Sequence, residues 1–66
     1  MYILATEPSK DGTLSDAFDA VDNAYGTGEF AEEQAVSAIA LGMTVDDTRA
    51  SQLFKNLVDR GFVSEV

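Results

Sequence analysis

The stretch AEEQAVSAIALGMTVDDTRASQLFKNLVDRGFVSEV, residues 31–66, decides the fold of this chain. Apolar residues recur in it at the three- and four-residue spacing of amphipathic helices, in two blocks separated by Gly42. A second glycine, Gly61, follows the second block and precedes a short segment rich in Phe and Val. Because glycine commonly ends helices and Phe and Val favour strands, the order predicts a helix, a short turn, a helix and a strand. We expect these elements at residues 31–41, 42–44, 45–60 and 62–66.

The predicted helix over residues 45–60 carries the clearest signals at both ends. Thr44 is a strong N-cap candidate, and Asp47 stands three residues later, where a capping box has its reciprocal acid. At the other end, Gly61 lies where a helix stop requires a left-handed residue. Phe62 and Leu57 then occupy the two positions that touch in a Schellman stop.

Another helix precedes these two. We predict that Thr13 opens it, with its hydroxyl accepting from a first-turn amide and Asp16 at the reciprocal position of a capping box. Apolar residues follow at helical spacing until Gly26 and Gly28, which end the helix. The next helix then begins near Ala31, with acids in its first turn.

The two chain ends are the remaining β-prone segments. Residues 1–6 form a predicted strand that stops before Pro8, and we expect residues 1–5 to pair with residues 62–66. The expected architecture is a single α+β domain over residues 1–66, with three helices and a small two-stranded sheet. The predicted core consists of Leu4, Leu14, Phe18, Val21, Val36, Ile39, Leu53, Phe54, Leu57, Val58 and Phe62.

The charge balance is strongly acidic along the whole chain. Twelve Asp and Glu residues oppose four Lys and Arg residues, which gives a formal net charge of -8. Apolar residues make up 45%, enough for a core, so a disordered acidic chain is disfavoured. The many acids, few lysines and frequent Ala, Val and Thr resemble proteins of extreme halophiles. We therefore expect a halophilic archaeal origin and a stability that rises with KCl, the alternative being an ordinary acidic protein.

Two missing residue types narrow the chemistry. The chain has no Cys, which excludes disulfides, thiol chemistry and thiolate metal sites. It also has no His, the usual proton shuttle and the commonest metal ligand. The apolar first five residues have no basic flank and are too short for a signal peptide or a membrane span. We therefore expect a cytoplasmic protein without membrane association.

From Leu14 onward the chain resembles the winged-helix family of helix-turn-helix transcription regulators. The likeness rests on the three helices, the short turn at residues 42–44 and the ending LVDRGFV at residues 57–63. The sequence departs from the family pattern in two respects. It lacks the second wing strand and the basic wing, and Asp46 and Asp47 open the third helix near where a phosphate would approach.

The resemblance implies that the third helix is a recognition helix for the major groove of double-stranded DNA. Arg and Lys side chains read guanine, and Gln and Asn side chains read adenine. Three of the four bases lie on this helix or at its end. The candidate DNA-binding residues are Arg49, Gln52, Lys55 and Asn56, with Asp59 on the same face.

Other candidate chemistry is weak. Asp16, Asp19 and Asp22 share one helix face, but a cation site needs ligands from several directions, so a solvated acidic face is expected. Residues 11–22 have the length of a calcium loop but lack the glycine at its sixth position. The glycines at positions 26 and 28 are better explained as a helix stop than as a phosphate loop, and no serine has a His to activate it. We expect no enzyme, cofactor, metal or small-molecule substrate.

Several functional interpretations stay open at this stage. The favoured one is DNA binding through the third helix. The second is a protein interaction module, either a homodimer or an adaptor, with an exposed apolar area around Tyr2, Tyr25, Phe30 or Val66. The third is an acidic mimic of DNA. The bases of the third helix would otherwise serve only to offset nearby acids.

Overall fold

The three predicted helices and the two predicted strands are all present. The structure is a computed structural model that describes residues 1–9 and 12–66. Among these residues the regular elements are β1 (Tyr2–Leu4), α1 (Thr13–Tyr25), α2 (Glu32–Met43), α3 (Asp47–Asp59) and β2 (Val63–Glu65). The α+β architecture with a small terminal sheet is therefore confirmed. No helix in the described ranges has the length and apolar character that a membrane crossing requires.

The two chain ends pair as predicted. β1 and β2 run antiparallel, with Tyr2 opposite Glu65 and Leu4 opposite Val63. On its other side, Tyr2 exchanges two backbone hydrogen bonds with Phe30, at 2.8 and 3.0 Å. This bridge is absent from the sequence prediction, because a single bridging residue leaves no period-two pattern. It ties the segment before α2 to the sheet.

The stop after α3 is confirmed in detail. Gly61 adopts a left-handed conformation with φ of 80°. The Gly61 amide donates to the Val58 carbonyl at 3.0 Å, and the Phe62 amide donates to the Leu57 carbonyl at 2.9 Å. These two bonds are those of a Schellman motif. They turn the chain directly into β2.

The junction between α2 and α3 differs from the prediction. Gly42 lies inside α2, which continues to Met43, and Thr44 is the left-handed C-cap with φ of 56°. Thr44 is therefore not the N-cap of α3. That role belongs to Asp46, whose carboxylate accepts from the Arg49 amide at 2.8 Å. A carboxylate that offers two acceptor oxygens satisfies the first turn, and α3 begins two residues later than predicted.

Gly42 has a packing role instead of a stopping role. A Cβ placed on it would lie 2.7 Å from the Cβ of Ala20. Two real Cβ atoms do not approach that closely, so the glycine permits close contact between α1 and α2. This requirement outweighs the poor helix propensity of glycine in the last turn.

The beginnings of α1 and α2 also differ from simple expectation. The N-cap of α1 is Gly12, and no side chain caps it, so the predicted capping role of Thr13 and Asp16 is wrong. Thr13 is already the first helical residue, which removes its hydroxyl from the N-cap position. The start of α2 near Ala31 is confirmed. Ala31 is the N-cap, and the Gln34 side chain accepts from its amide at 2.8 Å.

The core centres on Phe54. Its ring meets Tyr2 edge-on at 5.1 Å and Phe30 at 6.5 Å between centroids, and Tyr25 stacks on Phe30 at 5.8 Å. Phe30 and Val63 are buried although neither was predicted in the core. Of the predicted core residues, those that are only partly buried are Leu4, Leu14, Val36, Val58 and Phe62.

Candidate nucleic-acid interface

The outward face of α3 carries all four candidate DNA-binding residues. All four side chains are exposed, namely Arg49, Gln52, Lys55 and Asn56. Asp59, near the end of the helix, is exposed as well. Arg49, Gln52 and Asn56 follow one row along the helix, since residues three and four apart are neighbours on its surface. The inward positions of the same helix are buried, namely Ala50, Leu53, Phe54 and Leu57. The fold thus leaves the predicted row open to solvent.

The bases of this face have no ion-pair partner within the described residues. No carboxylate there lies within 4.0 Å of the Arg49 or Arg60 guanidinium or the Lys55 ammonium. The bases could still offset nearby acids through the solvent, which needs no direct contact, so that interpretation stays open.

Charge is distributed unevenly over the chain. Residues 46–60 hold three acids and three bases, so this segment is formally neutral. The rest of the chain holds the other nine of the twelve acids and one of the four bases, which accounts for the whole net charge of -8. The segment containing α3 is thus the place where a polyanion meets the least repulsion.

Acids border the basic row on the side of α2. A cleft of about 270 Å³ beside Tyr2 is lined by Lys55 together with Asp59 and Glu32. A wider groove of about 550 Å³ lies between the start of α2 and the first half of α3, and Glu32, Glu33 and Asp47 line it. A DNA duplex would therefore have to approach from the outward side of α3, away from this groove.

Burial and nearby acids affect the pKa of Tyr2. Desolvation is the main cause that raises its pKa above the ordinary 10.0, and the carboxylates of Glu65 and Glu32 raise it further. The Tyr2 phenol therefore stays neutral at physiological pH. It contributes a half-buried ring to the packing around Phe54 rather than a charge to the surface.

The acidic row of α1 lies in the helix, as predicted. Asp16 and Asp22 are exposed and Asp19 is half-buried. Within the part of the chain that the structure describes, no group of three or more acids converges in a way that could hold a metal ion. Of the stretch with the length of a calcium loop, Asp11 lies outside the described residues and residues 13–22 are helical.

The proposed apolar area is only partly exposed. Phe30 is 0% exposed, so its place in that set is wrong, and the Tyr2 and Tyr25 rings are half-buried against Phe54 and Phe30 respectively. Val66 is 67% exposed.

Sequence reasoning missed two other exposed apolar residues, Leu41 at 83% and Met1 at 53%. Leu41 was detectable, because a residue two positions after the buried Ile39 falls on the opposite face of a helix.

No family model matches this chain, and no curated protein and no solved structure is significantly similar to it. The resemblance to winged-helix regulators therefore stays a prediction from the sequence pattern. The feature that bears on function is the set of exposed bases and amides on the outward face of α3.

Proposed function

We propose that this protein is a small, acidic, non-enzymatic DNA-binding or transcription-associated protein that acts in the cytoplasm through the outward face of α3. The observation that carries the proposal is the row of exposed bases and amides on α3, whose bases have no ion-pair partner in the described residues. This row lies on the least negative segment of the chain.

The chemistry of the row suits the major groove. An α-helix fits the groove, Arg49 can bond a guanine through two hydrogen bonds, and Gln52 and Asn56 can do the same with adenine. Lys55, beside the row, would contact a phosphate and fix the register without reading sequence. Burial of the opposite face of α3 against the core would hold these side chains on a rigid element.

The expected affinity is low and depends strongly on salt. Even if Arg49, Lys55 and Arg60 all contacted phosphates, at a slope of about -0.9 each, a fourfold rise in salt would weaken binding about 40-fold. A monomer would therefore retain little electrostatic affinity at molar salt. A symmetric dimer would double the contacts and is the usual remedy.

The test is an amide NMR titration of labelled protein with a mixed-sequence duplex, at low and at molar KCl. The proposal expects shifts concentrated at Arg49, Gln52, Lys55 and Asn56, which weaken as KCl rises. A folded protein with no shifts at either salt concentration would retire the proposal.

Single substitutions separate a specific face from general charge. Arg49→Gln should weaken duplex binding by about 1–3 kcal/mol, because a side chain that pairs with a base edge is lost. The matched control is Asn23→Asp on α1, which also makes the chain one charge more negative and alters an exposed position. Equal weakening by both variants would show that only net charge matters, and would contradict the assignment to α3.

A protein partner is the second candidate, and the exposed apolar residues favour it. Leu41 is on the outward side of α2, and Met1 and Val66 are joined at the sheet end by a 2.9 Å bond from the Val66 amide to the Met1 carbonyl. A homodimer that buries Leu41 would have twice the monomer mass in light scattering without DNA. Leu41→Gln would return it to monomer, and a monomeric wild type at all concentrations would exclude a homodimer.

A further inference from the structure

A cavity of about 290 Å³ lies where the beginning of α1 faces the end of α3. Its polar lining comes from Ser9, Thr13, Ser15 and Arg60, and Leu14 and Phe62 contribute apolar walls. It is separate from the outward row of α3 and from the acidic groove beside α2. The polar groups that line it are all hydrogen-bond donors or can act as donors.

The helix end supplies three amides to this place. The amides of Thr13, Leu14 and Ser15 belong to the first turn of α1, and helix geometry gives them no partner within the helix. The N-cap Gly12 has no side chain to accept from them, and no side-chain cap is present. The first helical bond, from the Asp16 amide to the Gly12 carbonyl, is long at 3.3 Å. No side chain therefore caps the positive end of the helix dipole, although the first turn does carry one acid, Asp16.

The buried residue Ser15 also lines this cavity. It is the only buried polar residue in the described part of the chain, at 5% exposed. Its hydroxyl makes no hydrogen bond to another described residue. Among the described residues, every side-chain nitrogen or oxygen that is completely shielded from solvent has a hydrogen-bond partner. The Ser15 hydroxyl has none, so it is not completely shielded and keeps a small contact with solvent.

Arg60 adds a positive charge to the cavity, beside the amides at the start of α1. Its guanidinium has no carboxylate within 4.0 Å in the described residues. A cation beside the positive end of a helix is unfavourable on its own. An anion in the cavity would satisfy the guanidinium, the amides and the hydroxyl together.

We propose that this cavity is a binding site for a phosphate-class oxyanion. The anion would accept from the amides of Thr13 and Ser15, from the Ser15 hydroxyl and from the Arg60 guanidinium. Charge-assisted bonds of this kind are shorter and stronger than bonds between neutral groups. The phosphate could be free or part of a nucleic acid backbone, and the two sources are separated below. The proposal is independent of the one for α3.

The test is a titration of ¹⁵N-labelled protein with inorganic phosphate at constant ionic strength, with chloride as the balancing anion. The expected result is saturable shifts of the Thr13, Leu14 and Ser15 amides in the millimolar range. Absence of saturable shifts in those amides, with the rest of the spectrum unchanged, would overturn the proposal.

Substitutions test the named contacts. Arg60→Gln should weaken phosphate binding at least about tenfold, since a hydrogen bond to a charged group is lost. Ser15→Ala should weaken it by about threefold or more, and Arg60→Lys should retain part of the affinity. Asn23→Asp is the matched control, because it makes the same change in net charge at an exposed position of α1, about 15 Å along the helix from Thr13, and should leave binding within about twofold.

Each variant is first checked for a folded amide spectrum, which Arg60, being exposed, is expected to preserve. Equal weakening by Arg60→Gln and Asn23→Asp would show that only net charge matters and would overturn the site. A duplex titration then identifies the source. Duplex shifts at Thr13 to Ser15 that Arg60→Gln abolishes assign the phosphate to nucleic acid. Shifts with inorganic phosphate alone assign the site to a free anion.

Discussion

Helices α1 and α3 have the same length and the same inward construction, but their outward faces differ in charge. Each has thirteen residues and each buries four of them against the core. Outward, α1 carries Asp16, Asp19 and Asp22 with no base, whereas α3 balances Asp47 and Asp59 with two bases. Packing against the core thus restricts the residue types on the inward faces, whereas the outward faces are free to differ in charge. The outward face of α3 is where the chain departs from its own acidic pattern, and function is sought there.

The largest expected effect concerns the inward faces. Phe54→Ala on α3 should destabilise the fold by about 3–5 kcal/mol, because it creates a cavity and removes two ring contacts. Phe18→Ala on α1 should cost about 1 kcal/mol less, since Phe18 has no ring partner among the described residues and is 6% exposed. Urea unfolding followed by circular dichroism measures both. Equal losses would show that the two inward faces contribute alike and would remove this distinction.

The next effect concerns the contact that holds α1 against α2. Gly42→Ala places a Cβ 2.7 Å from that of Ala20, so we expect a loss of about 1–2 kcal/mol after the gain in helix propensity. Ala20→Gly in the same chain should restore much of that loss. A double-mutant cycle by thermal unfolding measures the coupling. Additive effects, or a stabilised single variant, would contradict the packing role of Gly42.

The two helix beginnings should respond differently to truncation. Asp46→Ala should destabilise the protein by about 1 kcal/mol, because the 2.8 Å bond to the Arg49 amide is lost. Thr13→Ala should change stability by less than about 0.5 kcal/mol, since no side chain caps α1. Chemical denaturation distinguishes these values. A loss at Thr13 as large as that at Asp46 would restore the capping role predicted from the sequence.

The smallest expected effect concerns the outward charges. At low salt, Asp22→Asn on α1 should raise stability by a few tenths of a kcal/mol, and Lys55→Gln on α3 should lower it by a similar amount. Both differences should vanish in molar KCl, because the Debye length falls to about 3 Å at 1 M.

The melting temperature of the wild type should meanwhile rise with KCl, as the resemblance to halophile proteins implies. A flat or falling curve would contradict that resemblance and favour an ordinary acidic protein.

Local signals in the sequence were sufficient where one residue type had one physical role. Gly61 was predicted as a left-handed stop and has that conformation, because the Schellman pattern specifies its neighbours as well. The pairing of the chain ends followed from the lack of any other β-prone segment. The exposed row on α3 followed from helical periodicity, although its binding role stays a prediction.

Local signals failed where a residue served a distant contact. Gly42 looked like a stop, but its lack of a Cβ serves Ala20 of another helix. Phe30 looked like an exposed aromatic beside a glycine turn, but its backbone bridges Tyr2 and its ring is buried in the core. In both cases the partner is distant in sequence, so no periodic pattern identifies it.

The number and order of the elements, the inward stripes, the acidic charge and the residues on the outward face of α3 all follow from the amino-acid sequence. These depend on short-range periodicity, propensity and composition, which each segment carries on its own. The three-dimensional packing was needed to establish where α2 ends, which residue caps α3, and that Arg60 and the start of α1 line the same cavity. Those features arise where segments far apart in the chain pack together, and steric fit and hydrogen-bond competition between them override local preference.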